Sequence, residues 1–178
     1  MVVHGGYKIM SDMEHILKYM KGTFPEVKLK LFDTIAEGKF ERLVNWHKNT
    51  LKPRCDSLIN LQFLSTSNDE DKQKDIVKFE KLLKNADDML KEIKEENDND
   101  DIDIYFSGTG EISAIDIILH SQICTIVDMY SENQKISERK YEELSAWMEL
   151  MNNEPHIEDN LRQMKDVIKQ NKLYGYQV

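Results

Sequence analysis

Cysteine is scarce in this chain: of 178 residues, only Cys55 and Cys124 carry a thiol. Two well-separated cysteines, both in stretches that read as helix, do not make a disulfide framework, and the composition points to an intracellular, reducing compartment. No apolar run approaches the ~20 residues that a membrane-spanning helix needs. Met1-Val2-Val3 is too short for a secretory signal and is interrupted by the following Gly5-Gly6. Basic residues are outnumbered, 24 Lys and Arg against 33 Asp and Glu, for a formal charge of -9. That balance argues against nucleic-acid backbones and anionic membrane surfaces as main partners, since either would want a basic face. Proline occurs three times and glycine seven times, so long helices are permitted and the few breakers act as punctuation. Beyond a short acidic tract there is no low-complexity segment and no internal repeat.

What is present is helical periodicity. Val2–His4 and Tyr7–Ile9 read as two very short strands around a Gly5-Gly6 turn. Ser11 or Asp12 then caps a helix carrying Met13, Ile16, Leu17 and Met20, which Gly22 ends and Phe24-Pro25 keeps from resuming. A second helix, from about Leu31 or Lys39, carries Phe40, Leu43, Val44, His47 and Leu51, and Pro53 kinks or ends it. Cys55, Leu58, Ile59 and Leu61 continue the apolar face. Residues 72–96 form the clearest amphipathic helix, with Ile76, Phe79, Leu82, Leu83, Ala86, Met89, Leu90 and Ile93 at intervals of three or four. The acidic run 95–101 is a solvated loop. Residues 137–151 predict one helix with Tyr141, Leu144, Trp147, Met148 and Met151 inward, and residues 156–172 a last one with Ile157, Leu161, Met164, Val167 and Ile168 inward.

The centre of this pattern is the segment from Gly108 to Cys124. Ser113 and Asp116 have the capping-box spacing: the serine oxygen can accept from the N–H three residues on, and the carboxylate can return to the N–H of Ser113. The helix they open carries Ile115, Ile117, Ile118, Leu119, Ile123, Ile126 and Val127 on nearly every face, which places it in the middle of a bundle. The pair reads as a structural N-capping box and not as a catalytic dyad.

The same segments, taken in order, resemble the glutathione S-transferase superfamily. Tyr105-Phe106-Ser107-Gly108, Ser113-Ala114-Ile115-Asp116, Tyr141 to Trp147 and Asn153-Glu154-Pro155-His156-Ile157 are similar to successive motifs of that family's C-terminal helical domain. Ile9 to Met20 resembles the last helix of the thioredoxin-like domain that precedes it. The implied fold is mainly α: a glutathione-transferase C-terminal-like helical bundle over residues 27–178, preceded over residues 1–26 by a short β-hairpin and helix, the remnant of a thioredoxin-like domain. The resemblance implies that the acid and serine holding the glutamyl end of glutathione map onto Asp12 and Met13. The acid is kept, but a thioether replaces the hydroxyl and cannot donate to a carboxylate. The family's thiol-activating residue and cis-proline segment would lie before the first strand, so no catalytic residue is assigned. Glutathione remains possible as a ligand.

The remaining candidates read blandly. His15 has no obvious partner. His47 is a satisfied core or half-buried histidine, and one His near one Cys is no metal site. Cys124 is a small buried apolar residue, while Cys55, on the helix after Pro53, is left open between a buried and an exposed position. Gly108-Thr109-Gly110 lacks the rest of a phosphate-loop pattern. The expected function is therefore a non-catalytic protein–protein interaction module, a scaffold or subunit that assembles with other protein subunits as a homo- or hetero-oligomer. The alternative is part of an active glutathione S-transferase conjugating glutathione to apolar electrophiles.

Overall fold

The computed structural model describes residues 2–4, 7–9, 13–24, 31–32, 37–63, 69–97, 103–130, 137–155, 157–159, 162–163 and 166. Strands β1 (Val2–His4) and β2 (Tyr7–Ile9) pair antiparallel, with Val2 opposite Ile9 and His4 opposite Tyr7. The regular elements that follow among the described residues are helical. The helices are α1 (Met13–Thr23), α2 (Glu37–Trp46), α3 (Lys52–Phe63), α4 (Asp69–Glu96), α5 (Ala114–Tyr130) and α6 (Glu142–Asn152). Helical residues resume at Pro155 and 157–159, where Ile157 is buried. The expected positions Leu161, Met164, Val167 and Ile168 lie outside the described residues. No helix among the described residues is long and apolar enough to cross a membrane.

The core helix is α5. It packs against α2, α3 and α6, while α4 lies across α3 and α6. Eleven of its seventeen residues are buried, from Ala114 and Ile115 through Ile123 and Ile126 to Tyr130. Only a narrow strip reaches solvent, where Ile117 and Ser121 are exposed. Tyr130, at the end of α5, donates its hydroxyl to the Leu58 carbonyl at 2.9 Å, satisfying both groups inside the core. α4 buries Ile76, Phe79, Leu83, Ala86, Leu90 and Ile93 along one stripe. Burying a side chain such as Phe79 stabilises the fold by roughly 2–3 kcal/mol.

Three expected boundaries are sharpened or corrected. α1 continues one residue past Gly22, and the Phe24 N–H still reaches the Met20 carbonyl at 3.0 Å. Pro53 does not end the helical path. His47–Leu51 forms a π-helical turn between α2 and α3, closed by the Lys52 N–H on the His47 carbonyl. Proline has no N–H for the residue four back, and its ring would collide with that carbonyl in a regular helix. A widened turn just ahead of it accommodates both facts.

The third correction concerns residues 137–151, which are two elements and not one helix. A 3-10 turn at Glu138–Lys140 is followed by Tyr141 in an extended conformation, and only then by α6. The cause lies on α4. Tyr141 donates its hydroxyl to the Glu80 carbonyl at 3.1 Å, and Lys140 pairs with the Glu80 carboxylate at 2.6 Å. Asp87 then accepts the N–H groups of Glu143 and Leu144, at 2.9 and 3.1 Å. Tyr141 at the N-cap makes no side-chain cap bond, so the cap of α6 comes from a residue 56 positions away. Lys94 adds a pair to Glu143 at 3.0 Å. Asp87→Ala is expected to cost about 1–2 kcal/mol, the worth of a good helix cap with its dipole contribution. Urea unfolding followed by circular dichroism measures it, and a cost near zero would show that water replaces Asp87 freely.

Candidate functional site

The polar groups of the core converge on one face of α5. Asp116, His120 and Cys124 are spaced four residues apart, so they stack along a single stripe. All three are buried, and the stripe faces Trp147 and Asn152 of α6.

Asp116 is the hub. Its Oδ1 accepts the Phe106 N–H at 2.7 Å and the Trp147 indole N–H at 3.1 Å. Its Oδ2 accepts the Ser113 N–H at 3.0 Å and the Ser113 hydroxyl at 2.5 Å. The carboxylate thus returns to the N–H of Ser113, as a capping box does. The serine hydroxyl points the other way from the box: it donates to the carboxylate in place of accepting from the helix. A buried carboxylate with two oxygens can take four donors, and the hydroxyl is free to turn toward the stronger acceptor. Burial pushes the Asp116 carboxyl up from its ordinary value, while bonds from Ser113, Phe106 and Trp147 pull it back. Trp147 is held on two further sides, edge-to-face with Phe106 at 4.9 Å and with His120 at 5.7 Å.

The loop entering α5 is shaped by its own hydroxyls. Gly108 sits at φ +79°, a conformation that side-chain-bearing residues avoid. Ser107 Oγ lies 2.9 Å from Thr109 Oγ1, accepts the Thr109 N–H and donates to the Glu111 carbonyl. These donors serve the turn itself, in keeping with the reading that Gly108-Thr109-Gly110 is not a phosphate loop.

His120 and Cys124 form a contact that sequence reasoning did not single out. His120 Nε2 lies 3.0 Å from Asn152 Oδ1 and 3.3 Å from Cys124 Sγ, while Nδ1 is 4.0 Å from the sulfur. Cysteine, histidine and asparagine are the residue types of a thiol-protease triad, but the geometry differs. In a triad the two ring nitrogens divide the work, one facing sulfur and the other facing the amide. Here Nε2 lies within reach of both the Asn152 oxygen and the sulfur, and Nδ1 is the farther nitrogen from the sulfur. Burial also holds the ring neutral, with its pKa depressed to about 4. An imidazole that refuses a proton does not activate a thiol. The i, i+4 spacing of His120 and Cys124 was visible in the sequence; the partner Asn152, 32 residues on, was not.

One open reading is decided and one expectation is corrected. Cys55 is buried, not exposed, and burial pushes its thiol up to about 12. It faces inward because the π turn rotates α3 relative to α2, and its Sγ lies 4.0 Å from the Gln122 carbonyl of α5. Both thiols are free. His47 is buried at 3% exposure, yet neither ring nitrogen has a hydrogen-bond partner. It is a core histidine but not a satisfied one. Its pKa is lowered by burial and by Lys52, against the pull of Asp56.

Asp12 lies outside the described residues, as do the side chains of Met13 and His15, so the glutathione-site positions are not brought against anything here. Among the described residues, no group of three His, Cys, Asp or Glu is placed to hold a metal ion. A shallow cleft of about 350 Å³ runs between α4, Asp103-Ile104 and α6, with Leu90, Trp147 and Leu150 at its base and the Lys94–Glu143 pair at its rim. Compared with family models, curated proteins and solved structures, the chain matches none.

Proposed function

We propose that this chain is a non-catalytic interaction module: a glutathione-transferase-like helical bundle, with a short hairpin and helix at its N-terminal end, acting as a scaffold or subunit among other proteins in a reducing compartment. The observation that carries the reading is the outer face of α1. Leu17 anchors the helix in the core, but Ile16, Tyr19 and Phe24 are exposed at 40%, 38% and 48%. Tyr19 and Phe24 pack edge-to-face, with centroids 6.2 Å apart. Large apolar groups gathered along α1 and the residue after it make a surface that a protein partner stabilises by covering. The polar seam of α5 fits the same reading, because its strongest acceptor is already saturated by the fold.

The test uses the tagged full chain purified from its own cells. The expected result is a stoichiometric protein complex on a sizing column, lost in the Phe24→Asp variant, which keeps the wild-type melting temperature. Retention on immobilised glutathione together with conjugation of a generic aromatic electrophile would overturn the reading. So would a wild-type chain that elutes alone at 21.0 kDa at every concentration.

A further inference from the structure

The cleft between α4 and α6 has three walls. Leu90 and Lys94, one turn apart, come from α4, and Asp103 and Ile104 from the segment that leads to the core helix. Glu143, Ala146 and Leu150 come from α6, at intervals of three and four that put them on one face. Ala146 is exposed in the middle of that face and contributes only a methyl group, so the space of about 350 Å³ stays open. The floor is apolar and the rim is charged, with three carboxylates to one ammonium. That ammonium is already taken: Lys94 Nζ donates to both oxygens of Glu143, at 3.0 and 3.2 Å. The other two carboxylates, Asp103 and Glu149, are exposed and have no ion pair or hydrogen bond among the described residues. Two uncompensated negative charges therefore stand beside an apolar floor. Among the described residues, no three acidic, thiol or imidazole groups are placed to hold a metal ion, so the rim does not suit a compact cation.

We propose that this cleft is a docking site for an arginine of a protein partner, carried on an otherwise apolar segment. The inference rests on the interaction-module reading and supplies the chemistry of the partner. An arginine has both parts that the cleft asks for. Its methylene stem can lie on Leu90, Ile104 and Leu150, and its planar fork of five donors can be shared between the carboxylates of the rim. A lysine ammonium is a point charge, and Lys94 already supplies one at the rim. Leucines beside the arginine would cover the rest of the floor. The formal charge of -9 draws a basic segment toward the chain and repels an acidic one.

The experiment is a fluorescence-anisotropy titration of the full chain into a short fluorescein-labelled peptide in which one arginine is flanked by leucines. The arginine peptide is expected to bind, its lysine analogue about threefold or more weakly, and its glutamate analogue not at all. Asp103→Asn with Glu149→Gln should weaken the arginine peptide by about tenfold or more. Ala146→Trp fills the cleft without changing a charge and should do the same. Glu41→Gln with Glu158→Gln removes two exposed charges elsewhere and should leave the affinity within about twofold of wild type. Circular dichroism checks that each variant is folded. Equal losses in the two charge-removing pairs, or wild-type affinity in Ala146→Trp, overturn the site. So does competition by phenethylamine as strong as that of the unlabelled peptide, which would make the cleft a site for a small organic cation. A chain that keeps its protein complex on the sizing column but ignores the arginine peptide overturns this assignment and leaves the module reading standing.

Discussion

Replacing Asp116 with alanine is expected to lower the unfolding free energy by roughly 4 kcal/mol or more, among the larger single-residue effects a domain shows. The size follows from what is left behind. Four donors lose their acceptor together: the N–H of Phe106, the N–H and hydroxyl of Ser113, and the indole N–H of Trp147. Each buried donor without a partner costs on the order of 1–3 kcal/mol, and rearrangement of the Ser113 hydroxyl recovers only part of the sum. Removing partners one at a time should cost far less. Ser113→Ala deletes a donor and its need together, so about 1 kcal/mol is expected, with the backbone bond at 3.0 Å kept. Trp147→Phe keeps the ring packing against Phe106 and His120 and loses one bond. Urea unfolding read by fluorescence and circular dichroism gives all three values. If Asp116 acted only through the helix dipole, its removal would cost under about 1 kcal/mol and would match Ser113→Ala.

How much of this could be read from the chain depends on sequence distance. The S-x-x-D spacing puts Ser113 and Asp116 within reach of each other, and the apolar wrap of the following helix marks it as buried; both features are local. The other two donors on Asp116 are not. Phe106 lies ten residues upstream across a glycine turn, and Trp147 lies 31 residues downstream on another helix. The same distance separates what was legible in α6 from what was not. Its inward face, with Leu144, Trp147, Met148 and Met151, follows from periodicity. Its start does not, because the cap is Asp87 on α4. Pro53 announced a disturbance in the helix, but proline alone does not distinguish an end from a π turn. The consequence of the turn, a buried Cys55 and a buried, unpartnered His47, appears only when the phase of both helices is known.

Those two kinds of buried polar group divide the chemistry of the molecule. Asp116 is inside and saturated by four bonds, so it fixes the register of α5 against α6 and the entering loop. His47 and His120 are inside and neutral. They leave the bundle sensitive to protons even though no metal cluster is found among the described residues.

The bundle is therefore expected to lose stability on mild acidification below pH 6.5. Above pH 6.5, His120 is neutral folded or unfolded, and it contributes nothing to the pH dependence. Below 6.5 the unfolded chain binds a proton that the buried ring refuses until about pH 4. The unfolded state then holds more protons, so stability falls with pH throughout that interval and levels off beneath it. The gap corresponds to about 3 kcal/mol for this one group. His47, also lowered, adds a loss of the same sign. Asp116 works against both, since its raised pKa makes the folded state the better proton acceptor. Burial raises Asp75, but the bonds from Ser57 and Lys78 and the charge of Arg54 outweigh it, so its contribution is lost only below its ordinary 3.8. Between about pH 6.5 and 4.5 the two histidines are expected to outweigh Asp116. Urea unfolding across that range should show a clear slope for the wild-type chain and a shallower one for His120→Leu, whose Asn152 partner is exposed and can turn to water. A flat wild-type profile, or an unchanged slope in His120→Leu, would place the proton sensitivity elsewhere in the chain.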